Sequence, residues 1–90
     1  MAFIKLPDNL NGDVSGVKLF VILKIWEYDR VFTYDQMVDH IKNGLKEKNV
    51  SEEFLNSLEV EGMIQDTLKE MVDHHNLDYY ESKIYFPANR

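Results

Sequence analysis

Apolar positions along the chain fall into blocks whose spacing changes from one block to the next, and the spacing predicts the elements. Residues 17–28 are apolar apart from Lys18, Lys24 and Glu27. A run of about twelve residues exceeds the usual strand of five or six, so it is read as a helix starting near Ser15 and buried on more than one side. Its inner part, residues 19–23, would also suit a buried strand. Val31 and Phe32 form a short extended piece. Thr33 then opens a second helix, because Gln36 three positions later completes a capping box that satisfies free amides at a helix start. Tyr34, Met37, Val38, Ile41 and Leu45 recur at i, i+3, i+4, i+7 and i+11 and give that helix one apolar stripe, while Asp35, Asp39, Lys42 and Lys46 point elsewhere.

The pattern breaks near Asn49. Ser51, backed by Glu52 and Glu53, starts a short helix that carries Phe54, Leu55 and Leu58 inward. After residues 59–62 a further helix places Ile64, Leu68, Met71, Val72 and His75 on one face, with Asp66, Lys69, Glu70 and Asp73 opposite and Asn76 as the stop. Residues 77–86 are rich in aromatic and β-branched side chains around Glu81, Ser82 and Lys83, the pattern of a tight hairpin that Pro87 ends. Such a hairpin must pack on the helices to be stable. The expected fold class is mostly α with a small β-hairpin (α+β). Residues 1–90 form one domain: a turn-rich lead-in (1–14), a helical region (15–76) and the hairpin (77–87). A chain of this size buries about 60 to 65% of the surface its unfolded form exposes, so the core is small.

This order of elements resembles the winged-helix branch of the helix-turn-helix superfamily, with three to four helices and a C-terminal two-stranded wing. The resemblance is carried by the 17–28 helix, Val31-Phe32 as first strand, the Thr33-capped helix, the Leu68, Met71 and Val72 face, and the strands at Leu77-Tyr79 and Ile84-Phe86. It implies that residues 62–86 are a reading helix and wing, and that DNA binding is the superfamily function to test. One departure is the spacing: about sixteen residues, 44–59, join the second and third helices, where a helix-turn-helix uses a turn of a few.

Charge is the other departure. The chain carries a net −6, and residues 49–82 hold nine carboxylates against Lys69 alone, whereas residues 1–48 carry seven acidic and seven basic side chains. A nucleic-acid-reading half is expected to be basic. The partner is therefore expected to be a protein, and a basic one suits the face of Asp66, Glu70 and Asp73. Tyr80, Tyr85 and Lys83 join these as expected contacts, because alternation along the hairpin cannot turn all of Tyr79, Tyr80, Tyr85 and Phe86 inward, and exposed Tyr is enriched at interfaces. The alternative is a DNA-binding transcriptional regulator of winged-helix type that uses Gln65, Lys69, His74 and Lys83. Homodimerisation through the apolar first helix or the N-terminal segment is a secondary expectation.

Chemistry at a catalytic centre finds little material. The chain has no cysteine, which removes disulfides, thiolate metal sites and thiol nucleophiles. Met-Val-Asp-His occurs at residues 37–40 and again at 71–74. It is read as one helical solution used twice, with Met and Val inward and Asp and His on the rim. Adjacent helical residues diverge by about 100°, and no His-x-x-x-His pair shares a face, so Asp39, His40, Asp73, His74 and His75 are not assigned to a metal. Ser15, Ser51, Ser57 and Ser82 fall where caps and turns want hydroxyls, and the four glycines are too scattered for a phosphate loop. No catalytic, cofactor-binding or metal-binding residue is predicted, and the chain is read as non-enzymatic. No span approaches the ~20 apolar residues that cross a bilayer, and the first residues lack the charged start and apolar core of a signal peptide. A cytoplasmic protein with no membrane partner is expected.

Overall fold

The chain, described by a computed structural model over residues 6–75, 77–80 and 84–87, starts each helix where a side-chain oxygen meets a free first-turn amide. Asp13 accepts from the Gly16 N–H (2.9 Å) ahead of α1 (Val14–Glu27). Thr33 closes β1 (Phe32–Thr33) and opens α2 (Tyr34–Glu47). Its hydroxyl accepts from the Gln36 N–H (3.2 Å), and the Gln36 side chain accepts from the Thr33 N–H (3.0 Å). Ser51 accepts from the Phe54 N–H (3.3 Å) ahead of the one-turn α3 (Glu52–Leu55), and Ser57 from the Val60 N–H (3.4 Å) ahead of α4 (Leu58–Asp73). The hairpin strands are β2 (Leu77–Tyr80) and β3 (Ile84–Pro87). The fold is thus a small α+β globule. The expected turn at residues 81–83 and the expected stop at Asn76 lie outside the described residues.

Residues 19–23 are helical, which settles the choice left open for them. Val17, Phe20, Val21 and Ile25 face the core, while Leu19 and Leu23 are half-buried and Trp26 is 49% exposed on the opposite side. The burial expected on more than one side of this helix is therefore incomplete. Helix α2 buries Met37, Ile41 and Leu45 and half-buries Tyr34 and Val38, as its stripe predicts. Gly44 sits where α1 and α2 meet: a Cβ there would come within 2.6 Å of the Phe20 ring. Both Met-Val-Asp-His segments place Met inward, Val half-buried, and Asp and His outside.

Three expectations are corrected. Leu58 does not turn inward with Phe54 and Leu55; the chain ends α3 at Leu55 and recaps at Ser57, so Leu58 becomes the first residue of a new helix and is 84% exposed. Residues 59–62 do not precede the further helix but belong to the first turns of α4, which shortens the link from α2 to residues 48–57, with a helical turn inside it. His75 leaves the core face because the helix ends at Asp73 and His75 takes a left-handed backbone angle (φ 61°), exposed to solvent.

The three strands form an antiparallel sheet in the order β1-β3-β2. Phe32 lies opposite Tyr85, and Tyr85 opposite Tyr79, so the register sets three aromatic side chains across the sheet. Helix α4 packs on α1 and β2, and α2 on β1, which fixes the hairpin beside α4. The lead-in is tied down rather than loose. Leu10 is fully buried, its N–H donates to the Lys48 carbonyl (2.9 Å), and Asn11 Oδ1 accepts from the Ser51 N–H (3.1 Å).

Candidate interaction surface

Helix α4 buries Val60, Ile64, Thr67, Leu68 and Met71 and half-buries Met63 and Val72, and at about 100° per residue its exposed positions form one outward ridge. Gln65 and Lys69 lie on the hairpin side of that ridge, and Asp66 and Glu70 on the α1 side. Lys69 and Asp73 border the grooves on both flanks. Of the contacts expected from sequence, Asp66 and Glu70 thus lie on the α1 slope and Gln65 on the hairpin slope, while Lys69 and Asp73 border both.

The groove between α1 and α4 has a volume of about 630 Å³. Ile22, Leu58 and Met63 give it an apolar lining, and Glu59, Asp66, Glu70 and Asp73 line it with carboxylates. Lys18 and Lys69 also border it, yet none of these six charged side chains makes an ion pair or hydrogen bond among the described residues. The ion pairs among the described residues, Lys46 with Glu52 (3.7 Å) and Lys48 with Asp8 (3.9 Å), lie elsewhere, at the α2–α3 corner and the lead-in. The carboxylates of the groove are solvated and available.

On the other slope a smaller groove of about 310 Å³ is floored by Leu68 and Val72 and walled by Tyr34, Tyr79 and Tyr85. Phe32 and Tyr85 stack at 5.1 Å between centroids, and Tyr79 tilts against Tyr85 at 4.7 Å. Tyr85, expected as a partner contact, is only 8% exposed and serves mainly as the middle rung of this ladder. Within the ladder of Phe32, Tyr85 and Tyr79, it is Tyr79, 45% exposed, whose ring shows. Burial pushes the Tyr85 hydroxyl up to about 12, with the neighbouring Tyr79 adding to the rise. Burial likewise raises Tyr34, with Gln65 opposing the shift and Glu61 adding to it. The Tyr34 hydroxyl makes no hydrogen bond of good geometry among the described residues, while Gln65 donates instead to Glu61 (3.3 Å).

His74 follows the end of α4 and is exposed. The Tyr80 side chain and the whole of Lys83 lie outside the described residues. A third cleft, about 540 Å³ at the C-terminal end of α1, is bordered by Lys24, Glu27, Asp29, Arg30 and His40, with His40 against the Tyr28 ring at 5.1 Å. Its charges are of both signs and set no polarity for a ligand. Among the described residues no three His, Asp or Glu side chains are grouped to hold a metal ion, and no helix is long and apolar enough to cross a membrane. Sequence reasoning missed Leu58, Gly62, Met63 and Ile22 as surface-groove residues. The available signal was Ser57, a second cap-forming serine six positions after Ser51 and followed by Glu59 and Glu61.

No family model, curated protein or solved structure matches this chain.

Proposed function

We propose that this chain is a small, non-enzymatic interaction module of winged-helix type whose partner is a protein, engaged through the outer ridge of α4. The observation that carries the reading is the state of Asp66, Glu70 and Asp73: exposed and, among the described residues, without an ion pair, on the helix that opens with the solvent-exposed Leu58 and precedes the hairpin. The order helix, strand, helix, short helix, helix, hairpin supports the winged-helix part, as does the pairing of the first strand with the last. A DNA backbone laid on this helix would meet three carboxylates where phosphates want cations. A protein surface rich in Lys and Arg, with an apolar side chain for Leu58, meets complementary groups instead.

The second reading is a DNA-binding regulator of winged-helix type. It is favoured by the same element order and by Gln65 and Lys69 on the hairpin slope, with His74 near them in sequence. One titration separates the two. Amide NMR shifts are followed on adding a duplex of about 20 base pairs at low and then near-physiological salt. The protein-binding reading expects no shift on α4, or weak shifts at lysines of α1 and α2 that vanish with salt. Salt-resistant shifts on α4 and the hairpin would replace it with the DNA reading.

A further inference from the structure

Three of the four glycines answer to the fold. Gly12 takes a left-handed angle (φ 80°). A Cβ on Gly16 would come within 2.6 Å of Asp13 Oδ2 and 2.8 Å of Leu10, and one on Gly44 would strike the Phe20 ring. Gly62 answers to nothing among the described residues. It sits in the body of α4 with no left-handed angle, and a Cβ built there has no atom of the described residues within 4 Å. A glycine inside a helix is less favourable than an alanine, and no packing among the described residues offsets that. The same residue lines the α1–α4 groove together with Leu58 and Met63.

From this we infer that the α1–α4 groove is a seat for a basic amphipathic α-helix that approaches the α4 backbone closely at Gly62. The inference rests on the protein-binding reading above and names the partner's form. Apolar residues of the incoming helix at i, i+3/i+4 and i+7 meet Leu58, Met63 and Ile22. Lysines and arginines on its flanks meet Glu59, Asp66, Glu70 and Asp73, whose unpaired charges set the sign of the partner. The dimensions agree: α4 has 16 residues and is about 24 Å long, and a partner of about 14 residues spans about 21 Å. Missing side-chain bulk at Gly62 lets the two helix axes come nearer than a Cβ would allow.

The test uses the full chain and a synthetic Leu/Lys helix, LKKLLKLLKKLLKL, as probe, with a permuted peptide of the same composition whose leucines are spread around the helix. Shifts are expected at Lys18, Ile22 and residues 58–73 with the first peptide and not with the second. Gly62→Ala should raise Tm by about 4–8 °C, since it removes a helix-interior glycine without a clash, and should also weaken peptide binding. Gly62→Leu, whose Cβ meets nothing within 4 Å among the described residues, should fold normally and lose at least about fivefold in affinity, as overpacked contacts do. That opposite movement of stability and binding is what a structural glycine would not give. Undiminished binding by Gly62→Leu, equal binding of the permuted peptide, or shifts confined to the hairpin would overturn the helix seat. Those results leave the protein-binding reading to stand or fall on the duplex titration.

Discussion

Tyr85 shows how one side chain can be claimed by both packing and chemistry, and which of the two wins here. Its ring is the central rung between Phe32 and Tyr79, so its removal would leave Phe32 with only the edge contact of Tyr28 and would take from Tyr79 its tilted neighbour. The raised hydroxyl follows from that burial, and it sets a sign for stability against pH. A phenol whose folded-state value lies above its unfolded value near 10 contributes fully below about pH 10, and the contribution is lost as pH rises towards about 12. The protein should therefore hold its Tm up to about pH 10 and lose it steeply above. Tyr85→Phe keeps the ring stack and deletes the titrating group, so its Tm should fall less over the same interval. Parallel Tm curves for the two proteins would show that Tyr85 is not the group responsible. Tyr34 adds in the same direction through its own burial.

At the scale of elements, the helix starts decide where everything else goes. Thr33 ends a strand and begins a helix, so its cap also fixes the angle between β1 and α2. Thr33→Ala should cost about 1 kcal/mol. Gln36→Ala should cost less than that again when added to it, because the two bonds belong to one reciprocal box. Urea midpoints of the two single variants and the double one measure this, and full additivity would show that the box does not act as a unit. That corner was legible from sequence because cap and stripe are local signals: Thr33, Gln36 and the i, i+3, i+4 positions of α2 need no knowledge of neighbours. The hairpin was legible for the same reason, from β-branched and aromatic residues around a polar centre. Leu58 was not. Its spacing from Leu55 fits a continuing helix, and only the second cap at Ser57 turns it outward. Leu10 was missed as core because its neighbours favour turns, and what buries it is a hydrogen bond to Lys48 across the molecule. The grooves were beyond reach on principle, since a single sequence gives the faces of α1 and α4 but not that they flank each other.

For the molecule as a whole, the uneven charge has an energetic consequence that bears on function. Helix α4 carries Glu59 and Glu61 in its first turn, where the dipole favours them, but Glu70 and Asp73 lie near its C-terminal end, with no basic residue in the last turn. Glu70 also lies four residues after Asp66 and three before Asp73, both like charges on the same exposed ridge. Lys69 is near in sequence but pairs with none of them. The ridge is therefore kept at a loss to folding, the pattern expected where a surface is shaped by what it binds. Glu70→Gln retains length and helix propensity while removing one charge from this cluster. It should stabilise the free protein by about 0.5–1 kcal/mol at low ionic strength, with the gain shrinking as salt approaches about 1 M. The same variant should weaken the basic amphipathic peptide at low salt. A urea midpoint that falls on this substitution would mean that Glu70 is held by a partner inside the fold. The ridge would then be a structural feature, and the protein-binding reading would lose the observation that carries it.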